Sequence, residues 1–264
     1  MATLYAGGVN SSFSTDVGSV SDGDEILLTR GSVSYTTDLD QSSSELEQLW
    51  VGNGFDGTIG APGSSLQVNL DGSTYTGDFV YSSPGNFAYI AAASEIQRAQ
   101  VLRTGSSGVY FTDGTVTLLE VASGAVSVND QTDVPTLRMG GGSVTVGTHA
   151  SQALDTVTLN GGSLVTERSV GTVTISKGAT LMQETRTATA TSLTVEGVLR
   201  WKGGTITTLE ARSGSVVDFS GLQSDLTITN STVWSGVQFI PPPAGVTITY
   251  TNSTTLVNGG TPLP

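Results

Sequence analysis

The chain has 264 residues, a formal net charge of −13 and no cysteine. Ten Lys and Arg against 23 Asp and Glu, with no basic run, exclude a phosphate-binding face, so no nucleic-acid partner is expected. The missing thiols exclude disulfides and thiolate metal sites. Only 12% of residues are charged while 34 are Gly, a combination of short strands and turns rather than of disorder.

Residues 1–45 open without a positive segment leading into an apolar core, which predicts synthesis and folding in the cytosol. The stretch is rich in Ser, Asp and Thr and holds one clear strand, Ile26 to Thr29. Before it, "SDGDE" carries Asp22, Asp24 and Glu25, too close together for an EF-hand, and reads as an Asp-Gly turn. The segment is expected to act either as a cap over an open strand end or as an arm that grips a partner.

Faint repeats follow in "LEQLWVGNGFDGTIG" and "SSLQVNLDGSTYTGDFVY". "NFAYIAAASEIQRAQVL" admits one or two helical turns but reads better as a further repeat in unusual letters. Its apolar run, Phe87 to Ala93, is far too short to span a bilayer, so no membrane partner is expected.

From residue 118 the repeat is plain. "LLEVASGAVSV", "LRMGGGSVTV", "VTLNGGSLVT", "VTISKGATLM", "LTVEGVLRW" and "LEARSGSVVDF" align on Gly124, Gly141, Gly161, Gly178, Gly197 and Gly214. These glycines are spaced by 17, 20, 17, 19 and 17 residues. A period near 20 residues marks units that stack on their neighbours. Within a unit, apolar and polar residues alternate, as Val157, Leu159 and Leu164 do on one face. The glycine supplies the corner by taking φ > 0. The predicted fold is therefore all-β: a parallel β-solenoid (β-helix) of about nine short rungs over residues 46–235. An antiparallel sandwich, the competing fold, gives no reason for corner glycines in near-constant register.

No catalytic, cofactor-binding or metal-ligating residue is singled out, and no cofactor is expected. His149, the one histidine, stands in the polar corner "VGTHASQALD" and is expected to be a solvent-exposed loop residue. Asp155, Glu167, Glu184, Glu196, Glu210 and Asp218 fall at different phases of the repeat, whereas a glycosidase needs two carboxylates at a set separation. They read as solvated face positions. Of three tryptophans, Trp201 lies on the inward phase and is expected in the core or at a contact between subunits.

Residues 236–264 begin with Pro241, Pro242 and Pro243, which donate no ladder hydrogen bonds and favour a stiff rod. "VTITYT" then reads as one more strand, either pairing with a neighbouring molecule or folding back as a second cap.

The combination of "LEQLWVGNGFDGTIGAPGSSLQV", "VTLNGGSLVT…VTISKGATL" and "GGTITTLEARSGSVVDFSG" resembles β-helical structural proteins of tailed-phage virions, of the capsid decoration or cement type. The resemblance covers residues 46–221 and rests on turns and strand patterns, not on active-site motifs. It implies a non-enzymatic virion protein, made in the host cytoplasm and carried on the capsid surface, with the major capsid protein as partner and a homotrimer as its assembly. The alternative it leaves is a tail spike that recognises or degrades host surface polysaccharide.

Overall fold

A computed structural model describes all residues except 7–9, 85–86, 106–107, 150–151 and 261–264. The chain divides into two compact units, Met1–Pro135 and Thr136–Pro264. Each is a parallel β-solenoid, and together they hold about 12 turns. That exceeds the nine expected, because strands before residue 46 and after residue 235 also join the ladders.

In the second unit one ladder runs through Thr136–Met139, Leu154–Leu159, Val170–Ile175, Thr189–Val195, Gly204–Ala211 and Leu226–Trp234. A second runs through Ser143–Val146, Gly162–Thr166, Ala179–Gln183, Val198–Arg200, Val216–Asp218 and Gln238–Ile240. Because pairing is parallel and in register, like residues stack: Val144, Leu164, Leu181, Leu199 and Val217 form one inward column, all fully buried. Leu137, Val157, Val173, Leu193 and Leu209 form another. The alternating threonines, Thr158, Thr174 and Thr194, stack on the outer side. Each buried aliphatic side chain contributes about 1.5–3 kcal/mol relative to exposure, so the columns are the main source of stability.

The corners correct the glycine alignment in part. Gly124, Gly178 and Gly214 have positive φ, at 95°, 82° and 83°. In the Gly140–Gly142 run and the Gly161–Gly162 pair the left-handed residue is the last one, Gly142 (78°) and Gly162 (79°), not Gly141 and Gly161. Gly197 is not left-handed; it is required by close approach, since a Cβ there would lie 2.3 Å from the Ala179 carbonyl oxygen and 2.5 Å from that of Ser176.

The chain's end folds back on its own unit. Ile248–Tyr250 pairs with Leu226–Ile228, and Thr255–Val257 with Thr232–Trp234, both parallel. The three prolines form the connection between Gln238–Ile240 and this return.

In the first unit, Thr3–Tyr5, Glu25–Leu28, Gln48–Val51 and Asp78–Ser82 form one parallel ladder. Asp40–Glu45 and Leu66–Leu70 form another. Two long strands, Ala88–Arg103 and Gly108–Val121, turn the corner and serve both. From Ala88 onward "NFAYIAAASEIQRAQVL" is thus strand, as its reading as a repeat expected, and its first residue lies outside the described residues. Ile26, Leu49, Phe79, Ala99 and Leu119 are a buried column, and Phe13, Tyr35 and Phe55 pack ring on ring beside the one-turn helix Phe13–Val17. Asp24 is buried and accepts hydrogen bonds from the backbone N–H groups of Ala2 (2.6 Å) and Ser21 (3.0 Å), while Asp22 accepts from that of Glu45 (3.0 Å). "SDGDE" therefore ties the first strand to the turn that follows it.

Candidate functional site

The six acids of the repeat region lie on outer positions, and most hold a partner. Glu167 accepts from the Thr148 hydroxyl, Glu184 pairs with Lys202, and Asp218 pairs with Arg200 at 3.4 Å. Asp155 is exposed. Glu196 and Glu210, 14 positions apart in sequence, are brought together on one guanidinium: Arg212 reaches Glu196 at 2.8 Å and Glu210 at 3.0 Å. This fork raises the Arg212 pKa above its usual value, chiefly through the bond to Glu210. The repeat phase did not single out the pair, because the link is made by a third residue at the corner.

Beside the fork is an open depression of about 450 Å3 lined by Lys177, Glu196, Arg212, Ser213 and Trp234. The Trp234 indole N–H is buried there and finds no acceptor. Lys177 brings a cation, but both Arg212 and Glu196 are already committed to each other.

The first unit carries a different kind of groove, about 400 Å3 in volume, on the outer face of its second ladder. The register places Gln67 beside Ala91 and Ala91 beside Asp113, so a methyl group separates two longer polar side chains and forms a floor. A β-bulge sharpens the hollow. Ile90 faces Phe111 and Ala91 faces Asp113, leaving Thr112 as the extra residue. The Thr112 hydroxyl donates to the Ile90 carbonyl (3.2 Å) and meets the Ser65 hydroxyl at 2.7 Å, which fixes the bulge.

One wall of this groove is aromatic. Tyr89 lines it and is backed by its ladder neighbour Tyr110, the rings stacked at 4.7 Å and 17°, with Phe87 tilted against Tyr110 at 5.6 Å. Burial, and then the neighbouring Tyr110, push the Tyr89 phenol above its usual pKa. On the other side of Tyr89 the ladder neighbour is Gly60, set by the Ile59–Ala88 pairing; its φ of 69° disfavours a side chain, and a Cβ there would lie 2.7 Å from the Ser64 carbonyl oxygen. The rim is completed by Pro62 and Gly63 on one side and by Gln131 on the other.

Comparison of the chain with protein-family models, with curated proteins and with solved structures finds no match. The chemistry of the surface therefore has to be read from its own residues.

Among the described residues no group of three His, Asp or Glu is placed to hold a metal ion, and no helix is long and apolar enough to cross a membrane. His149 is half-buried, and its Nδ1 accepts from the Gln152 N–H at 3.2 Å, so it braces its own corner. Trp201 lies in the core with its N–H bonded to the Gly203 carbonyl at 2.8 Å. Sequence reasoning missed the groove, since its parts come from four rungs and meet only once the register and the Thr112 bulge are known. The available signal was the aromatic triplet Phe87, Tyr89 and Tyr110 in a chain with few aromatics.

Proposed function

We propose that the chain is a non-enzymatic structural protein of a virion, a capsid decoration or cement protein that binds the major capsid protein and stiffens the head shell. The observation that carries this reading is the run of in-register aliphatic columns in each unit. Such a core resists local deformation, because close-packed interiors transmit load with little compression. It also holds no thiol, since the chain has no cysteine. Both points suit a protein that must persist outside a cell, and the resemblance in turn and strand pattern points the same way.

Attachment falls to the ends. Among the described residues Gln238–Ile240 pairs on one side only, with Val216–Asp218, and Leu256 is exposed nearby in sequence. An unpaired strand edge accepts a strand from another molecule, either the capsid protein or a sister copy in a homotrimer. Many weak contacts across capsid subunits then stabilise the shell by mass action, growing with the logarithm of free protein concentration over Kd.

Counting copies in purified particles tests the reading. A decoration protein is present in hundreds of copies, and a tail spike in a few. A count of a few copies, or release of oligosaccharide on incubation with capsular polysaccharide, would replace the first reading with the second.

A further inference from the structure

We infer that the groove over Ala91 in the first unit is a binding site for a neutral saccharide. The groove offers one aromatic wall, a small apolar floor and a few polar groups at set positions, the general composition of small-ligand sites. A pyranose ring has an apolar C–H face and a rim of hydroxyls that both donate and accept. The Tyr89 ring, stacked on Tyr110 on one side and beside the side-chain-free Gly60 on the other, is a platform for that face. Gln67 and Gln131 are both exposed, and each amide carries two donors and one acceptor. Asp113 adds a carboxylate acceptor for a pair of adjacent hydroxyls, with one of its oxygens also receiving the Gly114 N–H at 2.8 Å.

Other occupants fit less well. The lining holds no Lys or Arg, and Asp113 together with a net charge of −13 disfavours phosphates and acidic sugars. An extended peptide needs a free strand edge, yet Leu66–Leu70, Ala88–Arg103 and Gly108–Val121 are each paired on both sides. A purely apolar ligand would leave the Gln67, Asp113 and Gln131 groups without partners.

This inference stands apart from the virion reading, since it is tested on the isolated chain. The full chain, fluorescently labelled, is applied to an array of neutral oligosaccharides of gluco, galacto, manno and rhamno configuration, with uronic-acid and sialic-acid glycans as the acidic arm. Retention on at least one neutral glycan is expected. Tyr89→Ala and Gln67→Ala should each weaken it by about tenfold, the scale of one lost ring stack or hydrogen-bonded group. Ala91→Gln, which fills the floor while leaving wall and ladder in place, should abolish retention with the melting temperature preserved. Thr174→Ala, in the second unit, should change nothing. Absence of any retained neutral glycan, retention confined to acidic glycans, or binding indifferent to both Tyr89→Ala and Ala91→Gln would overturn the assignment.

Discussion

Gly162 is set so close to Gly142 on the preceding rung that a methyl group on its Cα would lie 2.4 Å from the Gly142 carbonyl oxygen. Both residues are left-handed, at 79° and 78°. Gly178 has the same backbone, at 82°, but a Cβ there meets nothing within 4 Å. The pair separates two reasons for glycine. Gly178→Ala should cost about 1–2 kcal/mol, the penalty of a left-handed L-residue alone. Gly162→Ala adds a clash with backbone that cannot swing away, and should cost about 3 kcal/mol or more. Guanidinium denaturation followed by circular dichroism measures both, and equal losses would contradict the close approach.

The inward columns carry the stability, so truncation there should be severe. Leu181 lies between Leu164 and Leu199 and is fully buried. Leu181→Ala should destabilise by about 2–5 kcal/mol, the sum of lost transfer energy and the cavity left behind. Thr174, on the outer face between Thr158 and Thr194, should change stability by no more than about 0.5 kcal/mol when replaced by Ala. The same denaturation measurement applies, and a costly Thr174→Ala would mean that the outer ladder also bears load.

The architecture was legible because the solenoid repeats its inward residues in register. Val157, Val173, Leu193 and Leu209 announce a column before any coordinate is known. The corners were legible to within one residue, since any member of a glycine run can take φ > 0 and the sequence alone does not select Gly142 over Gly141 or Gly162 over Gly161. The groove was not legible. Ala91 forms its floor only because the register sets it between Gln67 and Asp113, and that register depends on one extra residue at Thr112. Periodicity reports what repeats, and a site made by a break in the repeat lies outside it.

Two surface aspartates should titrate low for different reasons. Asp40 is held below its usual 3.8 first by the Ser42 hydroxyl, then by the Ser42 backbone N–H. Asp71 is held below 3.8 first by the Ser73 backbone N–H, then by its hydroxyl. Ser42→Ala should therefore raise the Asp40 pKa toward its usual value by removing its leading partner, whereas Ser73→Ala leaves the leading partner of Asp71, a backbone N–H, in place; carboxyl carbon shifts against pH read both. A depressed folded pKa contributes stability that is present above the unfolded value and lost as pH falls through the folded one. Any acid sensitivity from these two groups thus belongs below about pH 4. An Asp40 pKa unmoved by Ser42→Ala would show that the hydroxyl of Ser42 is not its leading partner.

The three tryptophans differ enough in exposure to be told apart in solution. Trp50 is 42% exposed, on the outer phase of its rung between Leu27 and Val80; Trp201 is 1% exposed; Trp234 is half-buried. Iodide should quench Trp50 strongly and Trp201 hardly at all. Trp50→Phe should accordingly remove most of the quenchable fluorescence at little cost in stability. Trp201→Phe should leave the quenchable part intact but destabilise by about 1–3 kcal/mol, because it removes packed volume and the N–H that reaches the Gly203 carbonyl, leaving that acceptor unsatisfied. If Trp50→Phe unfolded the first unit, the outward phase assigned to Trp50 in its own ladder would be wrong, and if Trp201→Phe proved neutral, so would the inward phase assigned to Trp201.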